Sequence, residues 1–363
     1  LQVIKQKQWQ SQRGKVIKNS FYQFSTNIIV KLCGLIFTIL IAKLLSPYFY
    51  GLYSLTLSIT LIFLTFADSG VNSTLIRFIA RGRKEKSYLF YLFWLKFVLT
   101  SSFALLLFFL SPLLSSFFNK PIQVPLKAAS LFLFVNSIAN FFFALFNAKQ
   151  RFDLVFYKES TYQGLRIILP SIFILILPLL IKVPAVFLGL SAAVLVTFLV
   201  SLIWLKKLKI DFSVLLKPRF LLSKKEKQEV IKFIFTLAIA AITGVFFSSI
   251  DVLMLGKWVR SELIGYYKIA FSLFFGVVGL LNINAIFYPI FSQYSSDKKK
   301  LVYLFKRAFL LLSLLSLTAI LIILFLAKPF VALVFPSYLP SLKFLYLLIL
   351  LTFSLSLIHI SEP

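Results

Sequence analysis

The sequence predicts an all-α polytopic transmembrane helical bundle in two pseudo-symmetric lobes, and three observations predict it. The first is composition. Of the 363 residues, 60% are hydrophobic and only 14% are charged, too few polar residues to make the outer shell of a water-soluble domain. The second is distribution. The apolar residues gather in ten runs, most of them near the roughly 20 residues that cross a hydrocarbon core as a helix. Unbroken runs lack the alternation of a barrel strand, and lipid offers no partner to backbone polar groups that a helix or closed barrel leaves unpaired. The third is charge. The net charge is +28, which in a soluble protein would suggest nucleic acid. Here the cations sit between the apolar runs and read as topology signals, so nucleic acid is not expected as a partner.

In chain order the runs cover residues 17–45, 50–79, 88–110, 125–148, 160–181, 184–205, 231–255, 263–291, 303–327 and 333–354. The Lys-rich start leads directly into the first run, with no small-residue cleavage site of a secretory signal. The N-terminal segment and even-numbered loops carry 27 Lys and Arg, and the odd-numbered loops carry 6. That asymmetry places the N-terminus and even loops in the cytoplasm of a multi-pass cell-membrane protein. The longest connection, Lys206–Val230, is strongly basic. It separates an N-terminal lobe (16–206, six spans) from a C-terminal lobe (231–354, four spans). The linker itself (207–230) is expected to be a solvated tether beside anionic lipid, with a specific regulatory contact as the alternative. The last nine residues, Leu355–Pro363 (LSLIHISEP), look like the translation of a transposase adapter used in DNA library preparation, so they and His359 are set aside. Cys33 is the single cysteine, which excludes a disulfide framework within the chain.

A weak internal repeat supports the two lobes. LLSPYFYGLYSLTLSI (Leu44–Ile59) and WVRSELIGYYKIAFSL (Trp258–Leu273) each lead from a short external loop into the second helix of a lobe. Gly51 and Tyr53 match Gly265 and Tyr267 at a constant offset of 214. A repeat in the same direction on the same face is a parallel one, which implies two lobes about an axis along the membrane normal with a site between them.

The same segments carry a family resemblance. The run Leu44–Arg81, with "GLY" opening a glycine-bearing helix that ends in Arg, and the run Ser248–Leu273, with "SSID" followed by "ELIGYYKIA", resemble the Wzx-type polysaccharide-export flippases of the multidrug/oligosaccharidyl-lipid/polysaccharide (MOP) exporter superfamily. The resemblance covers the chain apart from its tail. It implies two lobes around a central cavity and alternating access. It also implies a polyprenyl-pyrophosphate-linked oligosaccharide as cargo for surface polysaccharide such as O-antigen or lipopolysaccharide, with glycosyltransferases and a polymerase of the same pathway as partners besides the bilayer. Family members have twelve or more spans, so ten are expected to mark a C-terminally truncated fragment.

Ionisable side chains deep in a membrane usually face a cavity or a partner. Lys31, Asp68, Lys96 and Arg166 lie nearest the midplane. An excess of cations suits an anionic cargo, since Arg holds phosphate bidentately and Lys acts as a point charge. The alternative for Lys31 and Asp68 is mutual neutralisation. Gln23, Asn27 and Lys31 recur every four residues on one helix face, as Asn136, Asn140 and Asn147 nearly do. Such stripes line a cavity or bond a neighbouring helix. Asp251 is the candidate for ion coupling; its alternative is a hydrogen bond to the eighth run. Pro170, Pro178, Gly276, Gly279, Asn282, Asn284 and Pro289 are candidate hinges. No catalytic, metal or phosphate-loop motif is found and no cofactor is expected. Competing functions are a drug or metabolite cation antiporter of the same superfamily, for which deep carboxylates should outnumber deep cations, and a membrane polysaccharide polymerase or ligase, which should carry a larger external loop.

Overall fold

The computed structural model describes residues 2–82, 84–178, 181–208, 210, 212–216, 222–280 and 298–349. They are helical almost throughout: α1 Gln2–Leu44, α2 Pro47–Asp68, α3 Val71–Ala80, α4 Glu85–Phe118, α5 Gln123–Ala148, α6 Phe152–Ile176, α7 Lys182–Lys206, α8 Lys224–Trp258, α9 Ser261–Leu280 and α10 Lys298–Val334, then a stretch over 341–349, here α11. Among the described residues six helical spans are long and apolar enough to cross a membrane: Lys18–Leu44, Pro47–Ala80, Glu85–Phe118, Gln123–Ala148, Lys182–Lys206 and Lys224–Trp258. Their outer faces carry exposed Phe21, Phe24, Phe109, Ile203 and Phe247, apolar surface that lipid can cover and water cannot. The eighth and tenth runs of the sequence continue past the described residues. Asn282, Asn284 and Pro289 lie outside the described residues.

The second run is not one helix. It breaks at Ser69 and Gly70, whose φ values of 43° and 79° are left-handed. Gly70 adopts such a backbone at no steric cost. A Cβ there would also lie 2.6 Å from the Leu237 side chain of α8. The break ends α2 at Asp68, which frees that carboxylate from the middle of a continuous helix.

Two compact units result. The first comprises Leu1–Leu44 and Leu52–Val259. Within it α6 packs on α1 and α7, α5 packs on α7 and α4, and α3 packs on α5. Leu55, Leu75, Leu92, Phe141, Phe146 and Phe187 are fully buried there. Gly189 of α7 sits against the backbone of Pro170 in α6, where a Cβ would come within 2.4 Å; this places Pro170 in a tight helix crossing. The connection after α7 is not wholly the solvated tether expected. Residues Phe212–Leu216 form a 3-10 turn with Val214 and Leu215 buried, and the Trp94 indole N–H donates to the Leu215 carbonyl at 3.0 Å.

Helix α8 is started by a capping box: Ser223 accepts from the Glu226 amide while the Glu226 carboxylate accepts from the Ser223 amide. From there it follows α3, α2 and α4 along the first unit. Glu226 bonds Lys84 and Glu229 bonds Arg81. Phe233 lies beneath Arg77, and Gly256 abuts Leu55 and Phe118. At the far end Lys120 donates to the Val259 carbonyl at 2.8 Å. By contact, α8 belongs to the first unit, which runs to Val259.

The second unit comprises Leu45–Gly51 and Arg260–Pro363. Ala270, Phe274, Ile323, Ala327, Leu345, Leu348 and Ile349 form its core. Tyr338 anchors the start of α2: its hydroxyl donates to the Leu45 carbonyl at 3.1 Å, and its ring meets Tyr50 and Tyr266 edge-on at 6.0 and 6.1 Å. Here the two repeats meet. A Cβ on Gly51 would lie 1.8 Å from the Ser261 carbonyl oxygen, and one on Gly265 would lie 2.3 Å from the Pro47 carbonyl oxygen. Pro47 and Ser261 are separated by the same 214 residues as the two glycines, so the crossing repeats itself about a local pseudo-two-fold.

Candidate functional site

The deep ionisable residues fall into separate settings. Lys96 is fully buried, and its ammonium donates to the Asp68 carboxylate across the α2–α4 contact at 2.5 Å. This pair bears on two expectations. Asp68 pairs with Lys96, a partner that the alternatives for Asp68 did not include, and Lys96 does not face water, because its side chain is 1% exposed against 28% for Asp68. The end of the pair that shows is the acid. Sequence periodicity could not supply this pairing, because the α2–α3 break sets the direction of Asp68.

Arg166 of α6 is half-buried, with its guanidinium 4.3 Å from the centre of the Phe37 ring of α1 and 3.3 Å from the Gln163 amide oxygen. The Tyr53 and Tyr162 hydroxyls lie within its electrostatic reach. A planar cation lying over an aromatic face keeps its edge donors available. Lys31 and Asn27 are exposed on α1 together with Gln23, and α1 and α6 are packed neighbours. The stripe and Arg166 thus belong to one helix pair, while Lys96 belongs to another.

Asn140 and Asn136 of α5 satisfy each other, the Asn140 amide donating at 3.1 Å. That is the helix-internal version of the polar stripe. Asp251 accepts the Val252 backbone N–H at 2.8 Å and is half-buried. Among the described residues no group of three or more His, Cys, Asp or Glu is placed to hold a metal.

One cluster was not anticipated. A cavity of about 740 Å³ opens where the ends of α3 and α4 meet the start of α8, lined by Phe78, Arg81, Lys84, Tyr88 and Glu226. Its two cations each make an ion pair with α8: Arg81 to Glu229 at 3.2 Å and Lys84 to Glu226 at 2.6 Å. The bond to Glu226 holds the Lys84 ammonium above the ordinary lysine range, so Lys84 is fully charged at neutral pH. Beneath the cations Phe78 and Tyr88 stack at 4.6 Å. The sequence did contain a signal. Two acids three residues apart in a strongly basic segment mark one helix face, but the excess of Lys around them favoured a solvated tether over a specific regulatory contact.

Comparison with known proteins agrees with this architecture. A family profile described as "Polysaccharide biosynthesis protein" matches residues 40–340. Among solved structures, an inward-facing multidrug resistance MATE family transporter of the MOP superfamily is similar at a TM-score of 0.66 and 16% identity, covering 91% of this chain and 80% of that one. A MOP superfamily transporter from Pyrococcus furiosus, described by the reversed polarity of its binding pocket, is similar at 0.59 and 16% identity, covering 95% and 81%. A Vibrio cholerae MATE transporter is similar at 0.60 and 13% identity, covering 96% and 82%. No curated protein matches the chain. At these identities the structures establish the fold: an all-α, membrane-spanning, MATE-like transporter bundle.

Proposed function

Because this chain belongs to the polysaccharide biosynthesis protein family whose profile spans 40–340, we propose that it is a flippase that turns a polyprenyl-pyrophosphate-linked oligosaccharide across the cell membrane, with its N-terminus in the cytoplasm. Cargo is loaded from the inner leaflet, where glycosyltransferases of the pathway assemble it, and is released outward to a polymerase. The two sequence repeats act as the two lobes of the alternating-access cycle.

The observation that carries the reading is Arg166. Its guanidinium lies 4.3 Å from the centre of the Phe37 ring and is half-buried in the α1–α6 pair, and α1 also carries the exposed Asn27 and Lys31. A pyrophosphate leaving the headgroup layer loses its hydration. A fork of N–H donors over an aromatic plane replaces that hydration with charge-assisted bonds and gives sugar rings a flat surface to rest on. Lys96 supports this site only indirectly, by cancelling Asp68, so that the deep charge left over is positive.

The test is export. In a flippase-deficient strain carrying the full-length gene, Arg166→Lys should retain part of the surface polysaccharide. Arg166→Gln and Arg166→Ala should lose most of it at normal membrane insertion, because a hydrogen bond to a charged group is worth about 1.5–3 kcal/mol, or one to two decades in affinity. Normal export by Arg166→Ala would reduce Arg166 to a packing role. One observation favours a second reading, a cation antiporter: the partly exposed member of the Asp68–Lys96 pair is the carboxylate. In that case Asp68→Asn should abolish proton- or sodium-driven drug efflux while Arg166→Ala leaves it intact.

A further inference from the structure

The cavity bounded by α3, α4 and α8 has the composition of an anion site with its own displaceable ligands in place. We propose that Arg81 and Lys84 receive the phosphate of a lipid headgroup, and that Glu226 and Glu229 occupy the places of that phosphate until it arrives. The proposal rests on the reading of the cargo as a phosphate-bearing lipid, and it adds a loading site distinct from Arg166.

Four features of the cluster point this way. The ion pairs are exposed enough to exchange. Side-chain exposure is 47% and 55% for Arg81 and Glu229, and 61% and 21% for Lys84 and Glu226, and such pairs contribute little to stability. They border about 740 Å³ of open space, which is room for a headgroup. The stacked Phe78 and Tyr88 rings form an apolar floor, with the Arg81 guanidinium 5.0 Å above Phe78; a flat floor under planar donors suits a phosphate carrying a hydrocarbon or sugar substituent. Finally, Lys84 has a φ of 50°. A residue with a Cβ is strained in that conformation, and strained residues concentrate where a function holds them.

Exchange costs the protein little on the acid side. Glu226 has a second set of bonds, accepting from the Ser223 amide at 2.9 Å and from its hydroxyl at 2.8 Å, so it stays satisfied when Lys84 turns to a phosphate. The consequence is mechanical as well. Once the cations leave the two glutamates, the start of α8 loses these two ion pairs and keeps the cation–π contacts Arg77–Phe233 and Lys227–Tyr91 to α3 and α4. Arrival of the headgroup thereby loosens the seam that closes this end.

The sign of opposite substitutions separates this from an ordinary pair of salt bridges. Inorganic pyrophosphate is titrated calorimetrically into the full-length protein in nanodiscs of phosphatidylcholine alone. Arg81→Gln and Lys84→Gln should each weaken binding about tenfold, one charge-assisted bond being worth at least a decade. Glu226→Gln and Glu229→Gln, which remove the internal competitor, should tighten it several-fold; Gln also preserves the capping box, so the helix start is kept. Binding that is absent, or that the Gln variants of the acids leave unchanged or weaken, would overturn the proposal. Nanodiscs containing phosphatidylglycerol name the source of the phosphate: loss of pyrophosphate binding there assigns the site to bilayer lipid, and retention assigns it to the pyrophosphate of the cargo. Binding is read on purified protein without export. A failure here with export still sensitive to Arg166 therefore removes only this site, whereas binding with export indifferent to Arg166 removes the cavity reading instead.

Discussion

Lys96→Met is expected to destabilise the protein by about 3–5 kcal/mol, the cost of leaving one member of a buried ion pair without its partner. Methionine keeps the length and most of the volume of lysine, so packing changes little and the loss reports charge. Asp68→Asn should cost at least as much, because the ammonium it abandons is 1% exposed whereas the carboxylate is 28% exposed and can still reach water. The double variant Lys96→Met/Asp68→Asn should return close to the parent, since exchanging a buried pair for neutral residues of similar size is often neutral or favourable. The measurement is the temperature at which half of the detergent-solubilised protein survives as a monodisperse peak. Three equal losses, with no recovery in the double variant, would mean that the two residues act separately. Recovery of stability without recovery of transport would instead give the pair a role in coupling, through the one side of it that is exposed.

The fold was legible because membrane insertion is a composition problem. Apolar runs and their basic flanks mark spans whatever their neighbours do. What could not be read was direction within the bundle. Asp68 and Lys96 are 28 residues apart on different helices, and nothing in their spacing indicates that the chain breaks at Ser69–Gly70 and turns the carboxylate to meet the amine. Arg166 was identifiable as a deep cation, but the ring under it, Phe37, is one of 44 phenylalanines, and no sequence rule selects it. The Glu226–Glu229 pair was hidden by its company: in a segment so rich in lysine, two acids look incidental until the partners across the cavity are seen. Asp251, named for its carboxylate alone, bonds its own neighbour's amide, a local contact that sequence position does not announce.

The repeat gave its strongest information at Gly51 and Gly265. Matching residues 214 apart argued for two related halves, and the crossing of α2 with α9 explains why both positions are glycine. An alanine at Gly51 would put its Cβ 1.8 Å from the Ser261 carbonyl oxygen, and one at Gly265 would put it 2.3 Å from that of Pro47. Both obstacles are backbone, so no side chain can turn aside; the helices must part. Gly51→Ala and Gly265→Ala are therefore expected to open this crossing and to abolish transport, with a loss beyond the usual 1–3 kcal/mol of an overpacked core. Opening is read with a cysteine at Ser261, which is 4% exposed, in a background where Cys33 is serine. A membrane-impermeant thiol reagent applied outside should leave Ser261→Cys unmodified in the parent and label it in either alanine variant. Gly34→Ala and Gly276→Ala are the controls. Nothing lies within 4 Å of a Cβ at either position, and replacing glycine inside a helix should stabilise by about 0.5–1 kcal/mol. Labelling should then stay low and transport normal. If all four alanine variants behave alike, helix propensity and not the crossing governs the result. If only Gly51 and Gly265 respond, and respond equally, the two halves of the repeat close on each other at this point, and a single methyl group on either side is enough to hold them apart.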